Sequence, residues 1–374
     1  MRSHSTRTAA HPNPRGRPPL SLVLPVHRHH NRRDIMMSRN KTLLAGAALL
    51  AATALLAGCA GSDGGDSAGS TDGASGETTK IVVATNPSAQ TAPLYLGIKD
   101  GIFAKHGLEV ELVPQTDVAA IISGVASGQY NFGFATVVHV INANVNDIPI
   151  RAVATVEGQQ KAEEEPEEGN ALVAGPDSGI TSAGDLGGKT VGVIGLSSLN
   201  TLAMWDMAAK EGVDTTSINL VQLPFGQMPA ALAAGDIDAA VVQAPFIADA
   251  EANGATIIGK PNVETFPNMA VGLYTTSQSY IDSNPDIVKA FAAAMIESQQ
   301  HATENIDDAK ATLVTNLGLT EEAANAAKWN TGSNPYVNTE GFTTAQELLT
   351  KYAGQTKQLD VDTLVWPGAL EGAN

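Results

Sequence analysis

From Lys80 onward, short runs rich in Val and Ile alternate with longer stretches whose apolar residues recur every three or four positions. A β-branched run followed by a helical period is the repeating unit of an α/β domain. The pattern predicts strands at 81–85, 108–113, 130–134 and 150–156, with helices at 93–101, 118–127 and 137–143 between them. A second set begins near 171, with strands at 190–194, 218–223, 239–242 and 255–258 and helices at 199–211, 229–234 and 245–253. After a strand-like segment at 269–274 the chain turns wholly helical. Asn284 before Pro285 has the form of a capped helix start, and further helices are predicted at 320–329 and 343–352.

The two sets echo one another. Residues 125–136 (VASGQYNFGFAT) parallel 232–243 (LAAGDIDAAVVQ). In each, a small-residue helix ends at a glycine, where a left-handed cap carries no steric cost, and a polar turn leads into an apolar strand. A polar side chain, Thr136 or Gln243, then stands where the next helix begins. Two lobes of related design, each with its own sheet, are therefore expected, against chance similarity between two strand–helix units in an Ala-rich chain.

The amino terminus has a different composition. Residues 1–35 are rich in Arg, His and Pro without core-forming periodicity, and Met36 and Met37 follow. Arg39 and Lys41 then precede an apolar run from Leu43 to Leu56 that closes on Leu56-Ala57-Gly58-Cys59. This run falls short of the ~20 residues that span a bilayer and has the flanks of an export signal. Translation is expected to start at Met36 or Met37. The closing residues are similar to the bacterial lipobox, which implies lipidation of Cys59, the only cysteine of the chain. Residues 60–79, rich in Gly, Ser, Asp and Thr, form a flexible tether. The folded part is thus expected outside the cytoplasm on a lipid anchor in the cell membrane, where ATP- or NADH-dependent chemistry is disfavoured.

Composition narrows the function classes. The chain of 374 residues is 43% hydrophobic and 16% charged, enough apolar material for sizeable cores. After residue 58 there remain 13 Lys and Arg against 38 Asp and Glu, and Arg151 is the only arginine among them. Such a surface repels phosphate backbones, so no nucleic acid is expected as a partner. A single cysteine excludes a disulfide framework and a cysteine-built zinc site.

Four stretches, 91–110 (TAPLYLGIKDGIFAKHGLEV), 122–136 (ISGVASGQYNFGFAT), 182–193 (SAGDLGGKTVGV) and 235–239 (GDIDA), carry a resemblance. Residues 80–275 resemble the solute-binding proteins of ABC importers in the nitrate, sulfonate, taurine and thiamine-precursor group. The resemblance implies a two-lobed periplasmic-binding-protein-like fold of type II, with two crossover hinge strands and C-terminal helices packed on the first lobe. It also implies no cofactor and an ABC permease in the membrane as partner. The expected organisation is a leader and signal at 1–58, Cys59 and tether at 59–79, lobe I at 80–170, lobe II at 171–270, and a return to lobe I at 271–374. The crossovers are expected near 171–175 and 270–274.

In open α/β sheets, ligands bind beyond the carboxyl ends of strands, where helix N-termini converge. Candidates from the first lobe are Gln90 and Thr91, with Thr91 able to cap the helix at Pro93, then Thr116, Asp117 and Thr136. From the second lobe they are Ser197, Ser198, Phe225, Gln227 and Gln243. Tyr274 and Phe225 are candidates to stack on a planar ligand, the alternative being core aromatics. A Ser, Thr or Asp before a helix is most often only a cap. These loops hold no Arg or Lys, and Asp117 repels anions, which favours a small neutral or zwitterionic heterocycle over a sulfonate. The acidic run 163–168 has the character of a solvated loop. His106, His139 and His301 lack metal-ligand spacing; His139 lies one turn into the helix after Thr136, facing the cleft or partly exposed. An enzyme of thiamine- or menaquinone-pathway type on the same fold is the competing reading, but no nucleophile with a partnered base is evident.

Overall fold

The computed structural model describes residues 78–158, 169–244, 246–267, 269–270, 272–327 and 334–370, all within one compact unit spanning Asp72–Asn374. The leader, Cys59, the tether up to residue 77 and the acidic run lie outside the described residues. The strands are β1 (Thr79–Thr85), β2 (Leu108–Pro114), β3 (Phe132–Ala135), β4 (Ile150–Thr155), β5 (Asn170–Ala174), β6 (Thr190–Val193), β7 (Asn219–Gln222), β8 (Ala239–Gln243), β9 (Thr256–Gly259) and β10 (Leu273–Ser277). They form two five-stranded sheets, ordered β2-β1-β3-β10-β4 and β7-β6-β8-β5-β9.

The two sheets follow one plan. In the first, β1, β2 and β3 are parallel and β10 runs antiparallel between β3 and β4. In the second, β6, β7 and β8 are parallel and β5 runs antiparallel between β8 and β9. In each sheet the reversed strand is the one by which the chain arrives from the other sheet. The internal echo falls on equivalent positions: β3 and β8 are each the middle strand of their sheet. Gly128 and Gly235 precede them with φ of 78° and 72°, a region other residues enter only with strain.

The crossover expected near 171–175 lies within β5 up to Ala174, whereas the one expected near 270–274 spans the end of a connection and the start of β10, which begins at Leu273 and runs on to Ser277. Polar residues prolong it because their hydroxyls are satisfied across the sheet. Thr275 Oγ1 donates to the Gly133 carbonyl at 3.0 Å and Thr276 Oγ1 to the Asn131 carbonyl at 2.7 Å, so both are fully buried. The connecting stretches are 156–169 and 260–272.

The C-terminal third completes the first sheet. Helix Pro285–Glu304 places Phe291, which has no exposure, flat against Phe132 of β3 with ring centroids 3.9 Å apart and planes 7° apart. Asn284 stands at the cap position, but its side chain donates to the Tyr280 carbonyl at 3.4 Å and caps nothing. Helix Ile306–Leu317 packs on helix Ala92–Lys99 through Leu313, Ala309, Leu96 and Tyr95. Residues 334–370 then cover the edge strand β4: the Trp366 N–H donates to the Ala152 carbonyl at 2.8 Å, and Thr155 Oγ1 donates to the Pro335 carbonyl at 2.8 Å. Among the described residues no helix is long and apolar enough to cross a membrane.

Phe291 also meets Phe103 and Tyr274, at ring distances of 6.0 Å and 5.7 Å. Truncating it leaves a void that β3 and β10 cannot fill. Phe291→Ala is expected to cost about 3–5 kcal/mol in denaturant unfolding; a loss under 1 kcal/mol would show that the helix is not integral to the first sheet.

Candidate functional site

Strand direction determines where a site can form. β1, β2 and β3 end together, with Thr85 beside Pro114 and Ala84 beside Gly133, so the segments after them share one edge of the first sheet. Likewise Val193 stands beside Gln222 and Gly192 beside Ala240 in the second sheet. The chain leaves the first sheet at Thr155, beside Leu273, and enters the second at Asn170, beside Gln243. It leaves the second at Gly259, beside Leu172, and re-enters the first at Leu273, beside Ala135. Both connections therefore join carboxyl edge to carboxyl edge. Two sheets tied twice at these edges carry their strand-end loops on the side where the connections run, which is where such sheets bind ligands.

On the first edge, Asp117 Oδ1 accepts from the Ala119 and Ala120 N–H groups at 2.9 Å and 3.3 Å, capping helix Val118–Ala126. Its side chain is exposed, as is Thr116, and Gln90 is half-buried in a 3-10 turn. Thr136 precedes helix Val137–Val145 without capping it; its hydroxyl instead pairs with His139 Nδ1 at 2.8 Å. Burial pushes the His139 pKa below the ordinary histidine value, and the nearby Asp117 charge opposes that shift. His139, expected to face the cleft or be partly exposed, is half-buried and tied to the strand-end threonine.

Two candidates on this lobe are corrected. Thr91 has no exposure and does not cap the helix starting at Ala92; its hydroxyl donates to the Asn86 carbonyl at 2.9 Å and closes the loop on itself. Tyr274 is fully buried, its ring lies edge-on to Phe291, and its OH pairs with Thr85 Oγ1 at 3.0 Å. Burial raises its pKa far above the usual phenol range. A ring enclosed in the sheet cannot stack on a solute, so Tyr274 is a core residue.

On the second edge, Ser198 caps helix Leu199–Lys210 by accepting from the Thr201 N–H at 3.2 Å. Ser197 and Gln227 are exposed, and Gln243 is half-buried at the end of β8. Phe225 packs partly into the core beside β8 while remaining half-exposed. The sequence pattern did not single out Leu196, an apolar side chain 51% exposed beside Ser197, nor the amides where the connections land. There Asn200 Nδ2 donates to Asn170 Oδ1 at 3.0 Å and Asn262 Nδ2 to Asn200 Oδ1 at 2.9 Å. Their partners lie 30 and 62 residues apart, so no local motif announces them. Among the described residues no cluster of His, Cys, Asp or Glu could hold a metal ion.

A pair of like-built sheets with facing carboxyl edges defines the two-lobed solute-binding fold of ABC importers. The alkanesulfonate-binding protein SsuA of Xanthomonas axonopodis pv. citri, solved bound to MOPS, superposes with a TM-score of 0.63 over 78% of this chain and 99% of its own, at 16% identity. Residues 88–309 match the family described as NMT1/THI5 like, and the chain belongs to that family. The formylaminopyrimidine-binding protein of Halalkalibacterium halodurans is 25% identical over 243 residues, 64% of this chain and 71% of that protein. The 4-amino-5-hydroxymethyl-2-methylpyrimidine phosphate synthase of Schizosaccharomyces pombe is 21% identical over 232 residues, 58% of this chain and 64% of that enzyme.

Three outcomes test the geometry. Ser198→Ala is expected to lower stability by ~1 kcal/mol in thermal or denaturant unfolding, the usual value of a cap; no loss would contradict the assigned hydrogen bond. By NMR, His139 is expected to titrate below pH 6.5, so its contribution to stability is complete above that value and declines as pH falls through it. Asp117→Asn keeps the cap but removes the charge, and the midpoint is expected to move further down. An unchanged midpoint would place Asp117 away from the imidazole.

Proposed function

We propose that this protein is the extracytoplasmic solute-binding component of an ABC import system, held at the cell membrane by lipid on Cys59. It closes its lobes around one small organic solute and hands it to a membrane permease. The observation that carries this reading is the pair of connections joining carboxyl edge to carboxyl edge, which leaves the strand-end loops of both lobes opposed across one groove. A ligand that contacts both lobes stabilises their approach, so closure follows from differential affinity for the closed form.

The groove chemistry favours a neutral or zwitterionic heterocycle. The loops after β1, β2, β3, β6, β7 and β8 offer hydroxyls, amides, the Asp117 carboxylate, the His139 imidazole and the apolar Leu196 and Phe225, without a Lys or Arg among their described residues; the half-buried Lys260 directly after β9 is the one cation at these strand ends. In the loops that hold the candidate residues a sulfonate would meet helix N-termini and the Asp117 carboxylate rather than a side-chain cation. The similarity to a formylaminopyrimidine-binding protein points the same way. The enzyme reading draws on the more distant synthase relatives.

Thermal stabilisation of the chain from residue 60 against sulfonates, amino acids, pyrimidines, aromatic acids and polyamines tests this directly. A saturable rise without turnover is expected, strongest for an uncharged or zwitterionic heterocycle and equivalent to about 2.7 kcal/mol at a hundredfold excess over Kd. Product formation would establish the enzyme, and silence across the panel would overturn the receptor. In cells, Cys59→Ala is expected to abolish fatty-acid labelling and release the protein from the membrane fraction; retention there would contradict the anchor.

A further inference from the structure

Helix Leu199–Lys210 serves both lobes. Leu199, Leu202 and Ala203 lie in the core of the first sheet, whereas Met204, Met207 and Ala208 lie in that of the second. The first stripe follows helical spacing and continues to Asp206, which is 8% exposed. Opposite it stands helix Glu340–Ala353, whose buried Phe342, Ala345 and Leu349 belong to the first lobe's core and which also packs on helix Val137–Val145. Tyr352 OH donates to Asp206 Oδ1 at 3.3 Å, and Lys351 and Lys210 stand 3.7 Å and 2.9 Å from the same carboxylate. The Trp205 ring lies 5.8 Å from that of Tyr352, tilted by 35°.

This contact is a thin polar clasp at the end of an apolar seam, and it is imperfectly satisfied. Trp205 Nε1 is buried without a hydrogen-bond partner among the described residues. A buried indole N–H left unpaired marks an arrangement that another conformation could improve. In this conformation the strand-end loops face solvent: Leu196 is 51% exposed, and Asp117, Ser197 and Gln227 are exposed.

We propose that Tyr352, Asp206 and Trp205 form a latch that favours the open arrangement of the lobes and that solute capture acts against it. The helix bearing Asp206 begins at Ser198 on the second edge, so swinging that edge over a solute moves Asp206 along the C-terminal helix. Closure parts Tyr352 from Asp206 and releases the Trp205 N–H from its unpaired site. Tyr352 and Trp205 touch no solute; they are positioning residues whose effect is on the population of the closed form. This inference rests on the reading of the molecule as a closing receptor.

Tyr352→Phe keeps the ring and removes the hydroxyl. With whichever panel solute stabilises the protein, Kd is expected to fall about threefold to tenfold, with little change in the unfolding midpoint without solute. Solute saturation is expected to shift tryptophan emission in the parent, and the shift should vanish in Trp205→Phe. Without any solute, Tyr352→Phe is expected to move the emission part way toward the bound value and to reduce the radius of gyration in small-angle scattering. An unchanged or higher Kd would overturn the latch. So would solute-free emission and scattering identical to the parent's, a result that stands even if no panel solute binds and the receptor reading fails.

Discussion

The constraint on which the rest depends is the direction in which the chain crosses between its sheets. Four strands of each sheet run one way and one runs back, and the reversed strand is the first element entered after each crossing. An antiparallel strand must start at the edge where its parallel neighbours end. Both crossings therefore join carboxyl edges, and the loops that carry helix N-termini are turned toward one another. Were β5 and β10 parallel to their neighbours, each connection would have to traverse the full height of a sheet, and the strand-end loops would not be paired.

Around that constraint, the same residue types serve different purposes according to their tertiary partners. Ser198 and Asp117 cap helices, whereas Thr91 and Thr136, in equivalent positions after strands, turn their hydroxyls to the Asn86 carbonyl and the His139 ring. The helix following Thr136 is left without a side-chain cap at the edge of the groove. Polar groups at the landing points of the connections form the Asn170, Asn200 and Asn262 series, which ties the first helix of the second lobe to the segment returning to the first.

The alternation of β-branched runs and helical periods made both sheets legible in the sequence, and the echo around Gly128 and Gly235 marked the two middle strands. The site was less legible. Tyr274 at the end of an apolar run is compatible with a surface or a core; its hydroxyl partner Thr85 is 189 residues away, and only the fold decides. The strand at β10 extended beyond the apolar run because the hydroxyls of Thr275 and Thr276 find the carbonyls of Gly133 on β3 and of Asn131 just before it, which hydropathy does not register. The contact between Asp206 and Tyr352 spans 146 residues and has no local signature. Exposed loop residues such as Asp117 and Ser197 followed from strand-end position alone, because that position is a property of topology.

The central claim, that the lobes close on a solute held between facing carboxyl edges, is tested most directly by an interlobe distance. β2 and β7 are the edge strands farther from the reversed strand, each three positions from it, and so are expected to swing furthest on closure. Glu109→Cys and Gln222→Cys, both at exposed positions, place two spin labels in the otherwise cysteine-free chain from residue 60. Saturation with a bound solute is expected to shorten and narrow the measured distance distribution. A distribution unchanged while calorimetry shows the solute bound would contradict the account.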